Sequence, residues 1–198
     1  MNDRAPAVKP GPNATSAPVP TPDPQSALLD LLHANWGTQA IAVAARLELP
    51  DHIARARDAL SQGGGGVGAR GADAAYLTRV THTHEDTLRR LLDALVTLGV
   101  LTRDAGVPGG APPTYALSPT GELLRGDHPR SLRSWALWWG AYQWPVWERL
   151  MHSVQTGEPA RPLVVKARSW EHLSSDAQAA EVFNRAMSEL TAIVAAAL

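Results

Sequence analysis

The stretch from Glu85 to Leu101, EDTLRRLLDALVTLGVL, restricts the possible fold more than any other part of the chain. Leu88, Leu91, Leu92, Leu95 and Leu98 recur at intervals of three and four, which gathers side chains on one face of an α-helix. Gly99 stands where a left-handed residue would end that helix, and Thr83 followed by Asp86 has the spacing of a capping box at its start. Two runs that can pair as strands come next, Val100–Arg103 and Thr114–Leu117. Between them lies DAGVPGGAPP, whose glycines and prolines disfavour regular structure. Helix, tight stop, strand, loop and strand make the pattern of a winged helix: a mainly α fold with a small two-stranded β wing. Proteins that read DNA use this unit, and so do proteins that use it only for packing.

Charge separates the two uses. The 18 Lys and Arg against 19 Asp and Glu leave a net charge of -1, so no overall positive field draws in a phosphate backbone. A base-reading helix presents Arg, Lys, Asn or Gln from its exposed N-terminal end. Here that end carries Glu85 and Asp86. Arg89 and Arg90 are the helix's positive charges, Asp93 offsets one of them, and the wing loop holds Asp104 without Lys or Arg. The pattern argues against nucleic-acid binding and leaves a winged-helix transcription regulator as the weaker alternative.

Other chemistries find little support. The chain has no cysteine, which removes disulfides, thiolate metal sites and redox chemistry on sulfur. His82 and His84 lie one residue apart with no third ligand at a familiar spacing, so no metal site is expected. No Ser-His-Asp arrangement or carboxylate pair stands out, and no catalytic residue is assigned.

The remaining chain has a simple order. Residues 1–25 read as a disordered Pro-rich tail without the apolar run of a signal peptide or membrane span, which suits a cytoplasmic protein with no membrane partner. From Ser26 to Leu49 the residues Leu28, Leu32, Trp36, Ala40, Val43 and Leu47 share one helical face. A shorter helix restarts at Pro50 and runs to Leu60. The run SQGGGGVGARG lacks both the strand-to-helix setting and the Lys and Ser or Thr of a phosphate cradle, and reads as a flexible insertion. A short helix spans Asp73–Val80, Ser118 and Pro119 open another, two more are separated near Gln143–Pro145, and the last runs from Asp176 to Leu198. The apolar face of the first helix exceeds what a three-helix winged unit can cover, so the expected cover is a second copy in a homodimer. The alternative is that the helices after Ser118 fold back over it.

Aromatic residues concentrate in WALWWGAYQWPVW. A pocket for a flat aromatic ligand would use them, and Tyr142 and Trp144, beside the break at Pro145, are the candidates to line it. Packing at a dimer interface is the competing use. Phe183, Met187 and Thr191 are spaced by four and share a face of the last helix, where core packing is the competing use of Phe183 and Met187.

The pieces LGVL, YALSPTGELL, LLRGDHPRSLRSWALWW, WERLMHSVQTGEP and FNRAMSEL, in this order and spacing, carry a resemblance. From Ser26 to Leu198 the chain resembles the N-terminal region of the bacterial and plant small-molecule O-methyltransferases that use S-adenosylmethionine. The resemblance implies a winged-helix dimerisation domain over residues 26–126, exchanging helices with its partner, and a helical acceptor-pocket segment over 127–198. It implies Phe183 and Met187 as substrate-binding residues beside Tyr142 and Trp144 of the aromatic segment, with Thr191 at the border to the cofactor. The acceptor would be a small aromatic molecule methylated on a hydroxyl. The family's C-terminal Rossmann-like domain brings a glycine motif for S-adenosylmethionine and a histidine base. This sequence has no glycine after Gly157, so that domain is expected to be missing and the cofactor not to be bound by this chain alone. The polypeptide would then be inactive by itself. It would be a fragment of a longer enzyme, the product of a truncated or frameshifted gene, or a stand-alone dimeric ligand-binding or assembly module that pairs with a separate methyltransferase chain.

Overall fold

The computed structural model describes residues 23–62, 71–107, 110–165 and 171–195. The chain divides into two compact units, Met1–Leu32 and His33–Leu198. In the first, helix α1 (Pro24–Arg46) opens two residues before the expected Ser26, because the Asp23 carboxylate accepts the Ser26 N–H at 3.1 Å and Pro24 suits the first turn. Leu28, Leu29, Leu31 and Leu32 are exposed there.

In the second unit α1 continues to Arg46 and the chain turns at Leu47 and Glu48, the latter left-handed at φ 53°. Then follow α2 (Leu49–Gln62), β1 (Ala72–Asp73), α3 (Ala74–Thr81), α4 (Glu85–Thr97), β2 (Leu101–Asp104) and β3 (Thr114–Leu117). The wing is an antiparallel sheet in the order β1-β3-β2, with Ala72 opposite Tyr115, Leu101 opposite Leu117 and Asp104 opposite Thr114. It gains a strand over the two expected, since two residues are too few to show alternation. Gly71 precedes that strand so close to the Tyr115 carbonyl that any Cβ would overlap it. The rest of the glycine run, residues 63–70, and most of the expected tail, residues 1–22, lie outside the described residues.

Helix α4 ends as its sequence requires. Gly99 sits at φ 70° and donates to Val96 O at 3.0 Å, while Val100 N–H reaches Leu95 O at 2.9 Å, the bond pair of a Schellman motif. Its start differs from the expected capping box. His84 is the N-cap and makes no side-chain cap bond, while the Thr83 hydroxyl pairs with Thr81 Oγ1 at 2.9 Å. Thr83 stands one residue too early to cap.

Leu88, Leu92 and Leu95 of α4 enter one core with Leu49, Ile53, Leu77, Leu101 and Tyr115. Leu91 packs at its edge, and Leu98 is 45% exposed. The buried Ser118 joins wing to helix: its Oγ lies 2.6 Å from Gly99 O and 2.9 Å from Val100 O, and it accepts the Gly121 N–H that opens α5 (Pro119–Glu122).

Tyr115 donates its hydroxyl to Asp93 at 3.1 Å, and Asp93 also pairs with Arg103 at 3.0 Å. Burial, reinforced by Asp93, raises the phenol above its ordinary value of 10. A raised folded-state value means that this stabilisation is complete below pH 10 and is lost as pH climbs through the folded value. Tyr115→Phe is expected to cost about 0.5–1.5 kcal/mol at neutral pH, with a shallower alkaline loss than the parent chain. Urea melts at neutral pH and above pH 10 measure both, and parallel alkaline losses would remove Tyr115 as their source.

Beyond α5 come α6 (Arg133–Leu137), a π-helical turn (Trp138–Gln143), α7 (Trp144–Trp147), α8 (Leu150–Thr156), α9 (Arg161–Val165), α10 (His172–Ser175) and α11 (Ala177–Ala195). The sequence suggested two helices parted near Gln143–Pro145, and the structure cuts this region into shorter pieces. Gly157, left-handed at φ 73°, ends α8. Asp176 accepts the Ala179 N–H at 2.9 Å and so starts the last helix, of which residues 196–198 lie outside the described set. Helix α6 has no cap of its own at Leu132. Glu189 of α11 supplies one, accepting from Ser134 N–H at 3.0 Å and Trp135 N–H at 2.8 Å. Among the described residues no helix is long and apolar enough to cross a membrane.

Candidate functional site

At the end of α4 that would enter a DNA groove, Arg89 is neutralised in place. Glu85 pairs with Arg89 one turn on, and Asp93 takes Arg103 from the wing. The acidic residues already flank the arginines that a phosphate would need, which agrees with the charge count. His82 and His84 are both helix-end residues: His82 is left-handed at φ 53° and closes α3, and the His84 imidazole lies 3.3 Å from the Thr87 hydroxyl. Among the described residues no three His, Asp or Glu side chains gather as metal ligands.

The aromatic segment separates into two faces. On one, Trp138 stacks on Tyr142 with ring centres 5.2 Å apart and meets Phe183 of α11 at 5.0 Å. Trp138 is buried, and Tyr142 and Phe183 are half-buried. Burial, with Asp176 adding to it and Arg46 opposing, pushes the Tyr142 phenol up. The Gln143 amide, oriented so that its neighbours are satisfied, accepts from the Trp138 indole N–H at 2.8 Å and from Arg161 at 3.3 Å. Burial lowers the Arg161 guanidinium.

On the other face Trp135 meets Trp139 edge-on at 5.9 Å, and Trp139 stacks on Trp147 at 6.3 Å. Trp135 and Trp139 wall an apolar groove of about 440 Å³, closed by Ile41 of α1 and by Val100, Leu123 and Leu132. A larger cleft of about 600 Å³ runs along α11, but Glu48, Arg133, Glu181, Arg185 and Glu189 line it, and ion pairs do not make a bed for a flat ring.

The structure brings Tyr142 and Phe183 together through Trp138. Trp144 is 37% exposed, Met187 is half-buried, and Thr191 is exposed with its hydroxyl returned to Met187 O at 2.8 Å. The groove uses Trp135 and Trp139, which sequence reasoning saw as aromatic but did not single out. Their spacing of four was the available signal. What hid it was the π-helical turn, which shifts the faces past residue 138.

S-adenosylmethionine would need a glycine-rich turn between a parallel strand and a helix. The described strands are all antiparallel and none leads into such a turn. These residues do not fit the cofactor.

Three comparisons bear on this geometry. The family model of the O-methyltransferase dimerisation domain matches residues 29–127. The 2,7-dihydroxy-5-methyl-1-naphthoate 7-O-methyltransferase of Streptomyces carzinostaticus is 36% identical over 155 residues, which are 75% of this chain and 40% of that protein. The aclacinomycin 10-hydroxylase RdmB of Streptomyces purpurascens is 33% identical over 88% of this chain and 44% of its own length. Among solved structures, the O-methyltransferase NcsB1 from neocarzinostatin biosynthesis, in complex with S-adenosylmethionine and 2-hydroxy-5-methyl naphthoic acid, superposes with a TM-score of 0.60 at 33% identity. That match covers 79% of this chain and 43% of NcsB1. The chain thus spans less than half the length of these relatives.

Proposed function

The chain belongs to the O-methyltransferase dimerisation-domain family, and from that premise we propose that it is the dimerisation and acceptor-binding portion of an S-adenosylmethionine-dependent O-methyltransferase acting on a hydroxyl of an aromatic natural product. It works as a cytoplasmic homodimer, with residues 26–126 serving dimerisation and 127–198 the acceptor side. The ring of the acceptor lies in the groove walled by Trp135 and Trp139, while Tyr142, Trp144, Phe183 and Met187, which do not line that groove, meet the acceptor from the second aromatic face, and Thr191 stands toward the cofactor. The observation that carries this reading is the pairing of an apolar, tryptophan-walled groove with a winged-helix unit in which Arg89 and Arg103 are held by Glu85 and Asp93.

Dimerisation is supported by the family match and by exposed apolar side chains: Leu28, Leu29, Leu31 and Leu32 in the first unit, and Trp36, Val43 and Leu98 in the second. The naphthoate acceptor of one relative and the naphthoic acid held by NcsB1 support a flat aromatic ligand. Methyl transfer needs a cofactor site, and the described residues hold no parallel strand with a glycine turn to build one.

The expected results are a mass of twice 21.1 kDa by light scattering and quenching of tryptophan fluorescence by 1,4-dihydroxy-2-naphthoic acid. Calorimetric titration with S-adenosylmethionine should give no heat of binding. A monomer that ignores the naphthoic acid would sink the proposal, and cofactor binding would demand a site built from the helices themselves.

A further inference from the structure

The π-helical turn has a specific defect in its hydrogen bonding. In the five-residue register that Trp144 N–H shows by bonding to Trp139 O, the next donor, for Gly140 O, would be residue 145. That residue is Pro145, which has no N–H. Gly140 O is served from another helix: Gln39 Nε2 of α1 donates to it at 3.3 Å across a partly buried contact. The approach is close, because a Cβ on Gly140 would overlap the methyl of the buried Ala42, one turn along α1. Thr38 and Ile41, the neighbours of this pair on α1, line the apolar groove.

The register governs where the tryptophans stand. On one regular α-helix, residues eight apart point about 80° away from each other, and one inserted residue brings them back to a common face. Trp139 and Trp147 stack at 6.3 Å across this turn. The same turn sets Trp138 and Tyr142 toward Phe183 and leaves Trp139 in the groove wall.

We propose that Gln39 is a positioning residue of the aromatic site: by completing the Gly140 carbonyl that Pro145 leaves without a donor, it holds residues 138–143 in the five-residue register and so fixes both tryptophan faces. The ligand consequence rests on the acceptor-binding function proposed above; the register does not.

The test is a double-mutant cycle on the full chain. Gln39→Met keeps the length of the side chain and removes the donor. Pro145→Ala restores a backbone N–H within reach of Gly140 O. Near-UV circular dichroism reads the tryptophan packing, and fluorescence quenching by 1,4-dihydroxy-2-naphthoic acid reads the ligand. Gln39→Met alone should lose near-UV intensity and weaken the naphthoic acid by roughly 3- to 10-fold. In the Pro145→Ala background the same change should leave both nearly unaltered. An unchanged near-UV spectrum in Gln39→Met overturns the proposal, and so does an equal loss in both backgrounds, which would trace the effect to packing. If the single variant fails to fold, the Pro145→Ala pair decides: a match supports the role and a loss overturns it. If the spectra behave as expected while the parent chain ignores the naphthoic acid, the register role stands and the acceptor reading fails.

Discussion

Truncating Leu92 to alanine is expected to cost the fold about 2–5 kcal/mol. Leu92 is fully buried in the middle of α4, packed in the cluster that joins α2, α3 and the wing. Cutting its isobutyl group back to a methyl loses the transfer free energy of three carbons and opens a cavity that three elements fixed by strand pairing and a Schellman turn cannot close. For a chain of this size the melting temperature should fall by roughly 5–15 °C. Leu98→Ala is the control, since that side chain is 45% exposed. Its cost to the isolated subunit should stay within about 0.5 kcal/mol, and any larger effect would register as weaker dimerisation. Thermal melts of both variants alongside the parent decide the matter. A Leu92→Ala chain melting with the parent would mean that α4 does not anchor this core.

Gly140→Ala is the second large effect, and it acts by crowding. The new methyl would occupy the space of the Ala42 methyl where α1 crosses the π-helical turn, and overpacking of this kind costs about 1–3 kcal/mol. The compensating change is on the other helix. Ala42→Gly removes the clashing group at the ordinary cost of a helical glycine, about 1 kcal/mol. The double variant should therefore melt above Gly140→Ala alone, by denaturant or heat. Two strictly additive losses would show that the methyl finds room elsewhere and that the crossing is looser than its geometry implies.

How far the sequence revealed this molecule depended on whether a signal was local. The leucines of α4 and the glycine that stops it act within one turn, so period and punctuation located them. The two longer wing strands were legible because Pro and Gly bracket them. β1 was hidden because it exists only through its pairing to β3, and Gly71 is fitted to a carbonyl more than forty residues away. The capping box failed on a single residue of register, since Thr83 found a hydroxyl partner in Thr81. In the candidate site, the spacing of Phe183 on α11 was readable, and so was the abundance of tryptophan. Which tryptophan faces which way was not, because the π-helical turn depends on Gln39, a hundred residues upstream. The family resemblance pointed to residues 127–198 as the acceptor side and said nothing of its faces.

The bonds from Ser134 and Trp135 to Glu189 give α6 and α11 a common fulcrum. A helix whose first turn is completed by its own sequence can slide along a neighbour at little cost. One whose first turn is completed by that neighbour cannot, because each ångström of slip stretches two charge-assisted bonds at once. Relative motion of the two helices is thereby confined to a tilt about one carboxylate. Phe183 lies less than two turns from that pivot along α11, so a tilt of the helix shifts Phe183 against Trp138 and leaves the groove of Trp135 and Trp139, which no residue of α11 lines, in place.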